Sequence, residues 1–406
     1  MPVVQLPPDV LRVGEATLFA LRDRAGCLLV PRGTLVATEE QRQLLTAREL
    51  YVDEQDNELL KRALAGKLDG MLRRGALLGH LAQARPDATD LPLAANAVHT
   101  PGRRLADPVG TWSSLQLRAG AVLRDPAAAD FASKIEQLQL SLLDQLNSDA
   151  DDALFLLVHG ATQEFRDYSV SHSLLVAVVC ELAARQHSPW NAEWRTTLRR
   201  AALTMNIAMT TLQNQLAVQD GAPSAAQRAQ IASHAEQGVA LLRGAGITDE
   251  RWLAAVAQHH RAPAGPMDAL PAEVQMARLI QRADIFAARM SPRRKRAAMS
   301  ATAAAKAAYL DENQQPDPAG SLIIKATGLY PPGCLVKLRS GETAVVLRRG
   351  RRANHPEVAS ILKADGLALA EPVARNTRLA ANEVVGGVAP HEVKVRLNPE
   401  RLLRLL

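Results

Sequence analysis

Five ionisable side chains lie on or beside apolar stripes of four helical segments: His172, His234, His259, His260 and Asp284. Imidazoles and carboxylates are the groups that ligate transition metals or move protons near neutral pH. In SVSHSLLVAVV, His172 falls in line with Val176 and Val179. The segment from Ser224 to Arg243 has a stripe at Gln227, Ile231, His234, Gly238 and Leu241. In WLAAVAQHH, His260 aligns with Leu253 and Val256, with His259 beside it at the helix end. VQMARLIQRADIFAA aligns Ala277, Ile280, Asp284 and Ala287. One inward histidine is ordinarily a hydrogen-bonded core residue. Five inward polar groups point instead to a shared site, because buried imidazoles and carboxylates are unfavourable unless paired or metal-bound.

A fifth stretch, ALTMNIAM (Ala202 to Met209), sits between these segments and offers poorer ligands. Its stripe, Leu198, Ala202, Met205, Met209, Leu212 and Leu216, predicts one core-facing helix with Asn206 at the edge. Taken alone, the two methionines are core filling.

The elements that must position these residues are mostly helical. From Phe131 to about Leu310, helical periodicity is interrupted by Pro189-Trp190, Gly221 to Pro223, Gly244 to Gly246 and Ala262 to Pro266, which predicts six or seven helices. Ahead of this block, residues 10–53 read as a small mixed unit. It has strands at Ala16 to Leu21, Cys27 to Val30 and Glu49 to Val52, and a helix over TEEQRQLLTAR capped by Thr38. Between Arg85 and Arg124 the composition turns to Pro, Gly, Ala and Asp, predicting a linker with a short element around Trp112. After Gly328, CLVKLRSGETAVVLRRG predicts two strands around a Ser340-Gly341 turn, with EVASIL and EVKVRL as two further strands. The expected organisation is 1–60 mixed α/β, 61–130 helix and linker, 131–328 helical bundle, and 329–406 β-rich extension.

The order of His172, Met205-Asn206, His234, His259-His260 and Asp284, each on its own helix, resembles the HD-GYP family of HD phosphohydrolases. SHSLLVAVV, SHAEQGVALL, AQHHRAP and ARLIQRADIFAARMSPRRKR look like that family's histidine and aspartate segments, over roughly Tyr168 to Tyr330. LYPPGCLVKLRSGETAVVL looks like its C-terminal extension, and AGCLLVPRGTLV is similar to a small domain often placed ahead of such bundles. The resemblance implies an HD-type bundle holding two or three metal ions, usually iron or manganese, and hydrolysing the bacterial second messenger cyclic di-GMP. It also implies that Arg293 and Arg296, at matching offsets after Asp284, contact the phosphates of the dinucleotide.

The chain departs from that pattern at its centre. ALTMNIAM stands where the family has a motif like LLHDIGK, so Met205 replaces the histidine, Asn206 the metal-bridging aspartate and Met209 the lysine. A neutral carboxamide is a poor bridge between two cations, a thioether suits neither iron nor manganese, and methionine stabilises no phosphate charge. The GYP element is absent too, the chain running RAPAGPMDALP after His260. The expectation is therefore no catalytic residue at Met205, Asn206 or Met209. His172, His234, His259, His260 and Asp284 hold no metal or a single divalent ion, iron, manganese or zinc. Arg293 and Arg296, three residues apart on one helical face, bind the ligand.

Composition narrows the classes further. The 406 residues are 47% hydrophobic and 22% charged, close to ordinary globular usage, and no apolar run approaches a bilayer span. Without a signal peptide, the reading is a cytoplasmic protein. Three scattered cysteines suggest neither a disulfide framework nor a zinc knuckle. A net charge of +6 permits an anionic ligand but gives no reason to expect nucleic acid. RRGRR, Arg348 to Arg352, is expected as an exposed loop. The fold class is mainly α, an HD-type bundle with a small N-terminal α+β domain and a small C-terminal β subdomain. The functional expectation is a catalytically inactive regulatory module in bacterial signalling that binds cyclic di-GMP without hydrolysing it, with an unidentified protein partner. The alternatives are a phosphodiesterase with an unusual mononuclear site and a protein-interaction scaffold.

Overall fold

Apolar runs broken by Gly and Pro leave room only for short strands near the N-terminus. The computed structural model describes residues 3–6, 11–15, 17–24, 28–30, 33–46, 49–73, 107–163, 167–187, 189–350 and 352–405. Its first sheet comprises β1 (Val3–Gln5), β2 (Leu21–Arg22), β3 (Leu28–Val30) and β4 (Tyr51–Asp53), antiparallel in the order β1-β4-β2-β3. Leu6, Phe19, Leu21, Leu50 and Val52 are in its core. The expected strand from Ala16 shrinks to Leu21–Arg22; Ala16 and Cys27 lie outside the described residues. Thr38 caps the Glu39–Thr46 helix as its sequence suggests, its hydroxyl accepting the Gln41 N–H at 3.2 Å.

The expected linker needs correction. RPDATDLPLAANAVHTPGRR lies outside the described residues, but Pro108–Arg124 is a 17-residue helix rather than a short element. Proline is pre-set for a first helical turn, and Trp112, Leu115, Ala119 and Val122 are buried at helical spacing. Gly110–Val122 belongs with the N-terminal residues in one compact unit; Leu123–Leu406 makes up most of a second.

The second unit is built around the Tyr168–Ala184 helix, buried at every position except Ser171 because it is apolar almost all round. Packed on it are the helices Ala150–Gln163, Ala192–Thr204, Thr210–Val218, Ala272–Met290 and Pro318–Thr327. The last two are tied together by a buried pair, Arg278 with Asp317, each 1% exposed, and Asp317 also caps the Pro318–Thr327 helix through the Gly320 N–H at 3.0 Å. A desolvated pair of this kind fixes one packing arrangement, because removing either partner strands the other.

The Ser340-Gly341 turn forms as expected between β5 (Leu335–Leu338) and β6 (Thr343–Arg348), with Gly341 at φ +85°. EVASIL becomes β7 (Glu357–Leu362), and the sheet continues with β8 (Ala368–Arg375) and β9 (Val384–Val388) in the antiparallel order β8-β7-β6-β5-β9. EVKVRL is not a strand: its Val393 and Leu397 pack against the sheet core without pairing. Its alternation fits a strand, but the five-stranded sheet ends at β8 and β9 without it. RRGRR also differs from the expected exposed loop. Arg348 pairs with Asp149 and Arg349 with Asp151, fastening the sheet to the start of the Ala150–Gln163 helix; Arg351 lies outside the described residues.

The chain is thus mainly helical, with small sheets towards both termini. No helix among the described residues is long and apolar enough to cross a membrane.

Candidate metal centre

Two capped helices bring three imidazoles together. Ala225–Gly244 begins at a capping box in which the Ser224 hydroxyl accepts the Gln227 N–H and the Gln227 side chain accepts the Ser224 N–H. Asp249 caps Glu250–Gln258 by accepting the Arg251 and Trp252 N–H groups. The first helix buries His234, Gly238 and Leu242, whereas Leu241, expected on this stripe, is 38% exposed. Both leucines fit the apolar spacing after Gly238. Contact at Gly238 decides between them, since a Cβ there would stand 3.5 Å from Ile207 and 3.6 Å from Val256. On the second helix the expected order of the histidines is reversed: His259 is buried and His260 exposed. The helix ends at Gln258, so the projection that aimed His260 inward no longer applies.

The ring nitrogens have defined roles. His234 Nδ1 lies 2.6 Å from the Ile231 carbonyl and His259 Nδ1 2.6 Å from the Val256 carbonyl. A carbonyl only accepts, so both Nδ1 atoms carry the proton and both Nε2 atoms present lone pairs. Those Nε2 atoms face each other at 3.2 Å. Burial lowers the pKa of His259 to about 3, with the His260 charge adding to the effect, and burial likewise lowers that of His234. Both rings are therefore neutral at pH 7, and neither has a proton to place between them. Ligand nitrogens of His234, His259 and His260 all lie within 4.8 Å of one another. Converging lone pairs on rings oriented by backbone carbonyls form a donor set suited to a divalent cation.

His172 and Asp284 form a separate pair in which His172 Nε2 lies 2.7 Å from Asp284 Oδ1. Burial pushes the Asp284 carboxyl upward, but the His172 hydrogen bond and the charges of His172, His259 and His260 outweigh it and hold the group at about 2. Asp284 thus stays ionised, already engaged on one oxygen. His234, His259 and His260 form one cluster, and the His172–Asp284 pair lies within electrostatic reach of it.

Tyr168, which the sequence reading passed over, extends the pair. Its ring stacks on His172 with centroids 5.5 Å apart, the Arg293 guanidinium lies 5.4 Å from its centroid, and Arg293 Nη2 is 3.4 Å from its hydroxyl. The signal was available: Tyr168 and His172 are four apart on one helix. Arg293 and Arg296 do not share a helical face. They bond reciprocally across a turn, each backbone N–H donating to the other's carbonyl at 2.8 Å. The Arg296 guanidinium donates to the Ala288 and Ser291 carbonyls, so it serves the end of the Ala272–Met290 helix. Arg293 is the more available of the two for an anion.

The helix expected through ALTMNIAM is broken. It ends at Thr204, Ile207–Met209 forms a 3-10 turn, and a new helix starts at Thr210. Met205, Asn206 and Met209 are buried at this break, where Ile207 meets the His234 helix at Gly238. Asn206 there carries a neutral carboxamide with one weakly basic oxygen and Met205 a soft sulfur, neither of them an anionic bridging group.

No family model and no curated protein matches the chain. Among solved structures it is similar to Bd1817, an HDG"Y"P protein from Bdellovibrio bacteriovorus, at 13% sequence identity and a TM-score of 0.42, covering 79% of this chain and 97% of that one.

Proposed function

We propose that the bundle is a degenerate HD-GYP-like module that has kept a mononuclear metal site and phosphate recognition while losing hydrolysis, and that it acts in signalling as a receptor for cyclic di-GMP. The observation that carries the reading is the contrast between its two halves. The imidazole set His234, His259 and His260 has retained ligand geometry, whereas the break at Met205-Asn206 offers no anionic bridge. His234, His259 and His260 would hold the ion, and when bound it would supply positive charge for an anionic oxygen. Asp284 remains ionised beside His172, so this carboxylate would orient the ring and balance charge without itself donating a proton at pH 7. Arg293, held over Tyr168, would contact a phosphate, a task suited to a planar guanidinium. Binding needs charge and shape, whereas phosphodiester hydrolysis by this class of site also needs two ions to clamp the attacking and leaving oxygens.

The test is a calorimetric titration of the full chain with cyclic di-GMP, combined with chromatographic analysis of the nucleotide afterwards. Saturable binding with intact nucleotide is expected. Absence of binding at high micromolar ligand overturns the receptor, and turnover overturns the inactive site.

A further inference from the structure

The C-terminal sheet carries a groove of ≈ 1160 Å³ between the β6–β7 connection and the residues after β8, sharing no lining residue with the histidine cluster. Its ionic lining is one-sided. Among the described residues the groove is lined by Arg349, Arg352, Arg375 and Arg378 and by one carboxylate, Glu357.

Two of these arginines are fixed. Arg375 donates Nε and Nη2 to Glu342 at 2.9 and 2.6 Å, leaving Nη1. Arg349 donates Nε to Asp151 and Nη1 to the Ala326 carbonyl, leaving Nη2. A guanidinium pinned on one edge is a pre-organised donor on the other. Arg352 and Arg378 are exposed and have no carboxylate partner among the described residues. The walls are braced as well. His355 Nδ1 donates to the Thr377 carbonyl at 3.1 Å, leaving Nε2 open, and the Thr377 hydroxyl donates to the Pro356 carbonyl at 2.8 Å. Gly350 packs so closely on the His355 carbonyl that a side chain there would collide with it.

Among the described residues the lining contains no Phe, Tyr or Trp on which bases would stack, which disfavours single-stranded nucleic acid. The volume exceeds what one phosphate fills, and four guanidiniums suit several anionic oxygens. We propose that this groove binds a small anion bearing two or more phosphate groups, held between the free Arg352 and Arg378 and the braced Arg349 and Arg375.

The experiment is a calorimetric titration of the full chain with inorganic tripolyphosphate at two salt concentrations. It is repeated on Arg352→Glu/Arg378→Glu, Arg293→Ala and His234→Ala variants. Both groove arginines are exposed, and thermal unfolding verifies that the double variant folds. Saturable binding that weakens with salt, falls at least about 10-fold in the double variant and persists in the other two is expected. No saturation at low millimolar tripolyphosphate, unchanged affinity in the double variant, or loss in Arg293→Ala or His234→Ala overturns the proposal. So does tighter binding of an oligoglutamate peptide, which would make the groove a site for acidic protein segments.

Discussion

His234 and His259 face each other through Nε2 atoms 3.2 Å apart, each ring donating its Nδ1–H to a carbonyl three residues back. Two lone pairs at that distance repel, and burial keeps both rings from being protonated to relieve the conflict. A cation resolves it. Protein prepared with iron, manganese and zinc available should carry one ion per chain at most, and His234→Ala/His259→Ala should carry none. Elemental analysis decides, and a reproducible stoichiometry of two would refute the mononuclear reading.

Hydrolysis of cyclic di-GMP should be negligible, because Met205, Asn206 and Met209 provide neither a second metal site nor a phosphate-stabilising cation. Chromatography of the nucleotide after long incubation measures this. Product at many turnovers per chain that vanishes in His260→Ala would establish an enzyme. Met205→His/Asn206→Asp is expected to increase metal content without generating turnover, since the loop from Arg261 to Pro271 is unchanged.

The two arginines after Asp284 should separate in their effects. Arg293→Ala removes a guanidinium held, among the described residues, by the Tyr168 ring face and a long contact to its hydroxyl, so it should weaken cyclic di-GMP binding by roughly 10-fold or more at little cost to stability. Arg296→Ala removes donors from the Ala288 and Ser291 carbonyls and should lower the unfolding midpoint instead. Titration and denaturant unfolding of both variants test this division, and equal losses in both measurements would contradict it.

His159 sets an acid limit on stability. Burial lowers its pKa from the ordinary 6.5 to about 4. Above pH 6.5 the ring is neutral folded and unfolded, and it contributes no pH dependence. Below that the unfolded chain takes up the proton more readily, so stability falls as pH drops towards about 4 and then levels. The loss is on the order of 3 kcal/mol, and His159→Phe should flatten the curve across this window. Denaturant unfolding between pH 7 and pH 4 provides the comparison.

Asp317→Ala should be among the most damaging single changes. It leaves the buried Arg278 with only the half-exposed Glu312 as a charged partner and removes the cap at Gly320. A loss of about 3–5 kcal/mol is expected from breaking a buried pair. Chemical denaturation measures it, and a loss under about 1 kcal/mol would mean that Glu312 or water replaces the lost carboxylate.

Much of the positioning was set by local sequence. Ser224 with Gln227, Asp249 and Asp317 specify where three helices begin, because a side-chain oxygen satisfies N–H groups only two or three residues away. The Ser340-Gly341 turn is equally local, Gly341 tolerating a positive φ. The direction of His234 followed from periodicity, and its Nδ1 contact lies within its own helix.

What tertiary structure decided begins where helices end. Periodicity is a property of a continuing helix, so it misplaced His260, which lies past Gln258, and ran a helix through Asn206 where the chain turns to meet Gly238. The fold brings the Arg296 guanidinium to the Ala288 and Ser291 carbonyls, contacts its offset from Asp284 did not announce, and EVKVRL looked like a strand although the sheet ends at β8 and β9 without it. The five polar residues could be named from sequence. The contacts His172–Asp284 and His234–His259 join residues 112 positions apart in one case and 25 in the other, which no local pattern encodes.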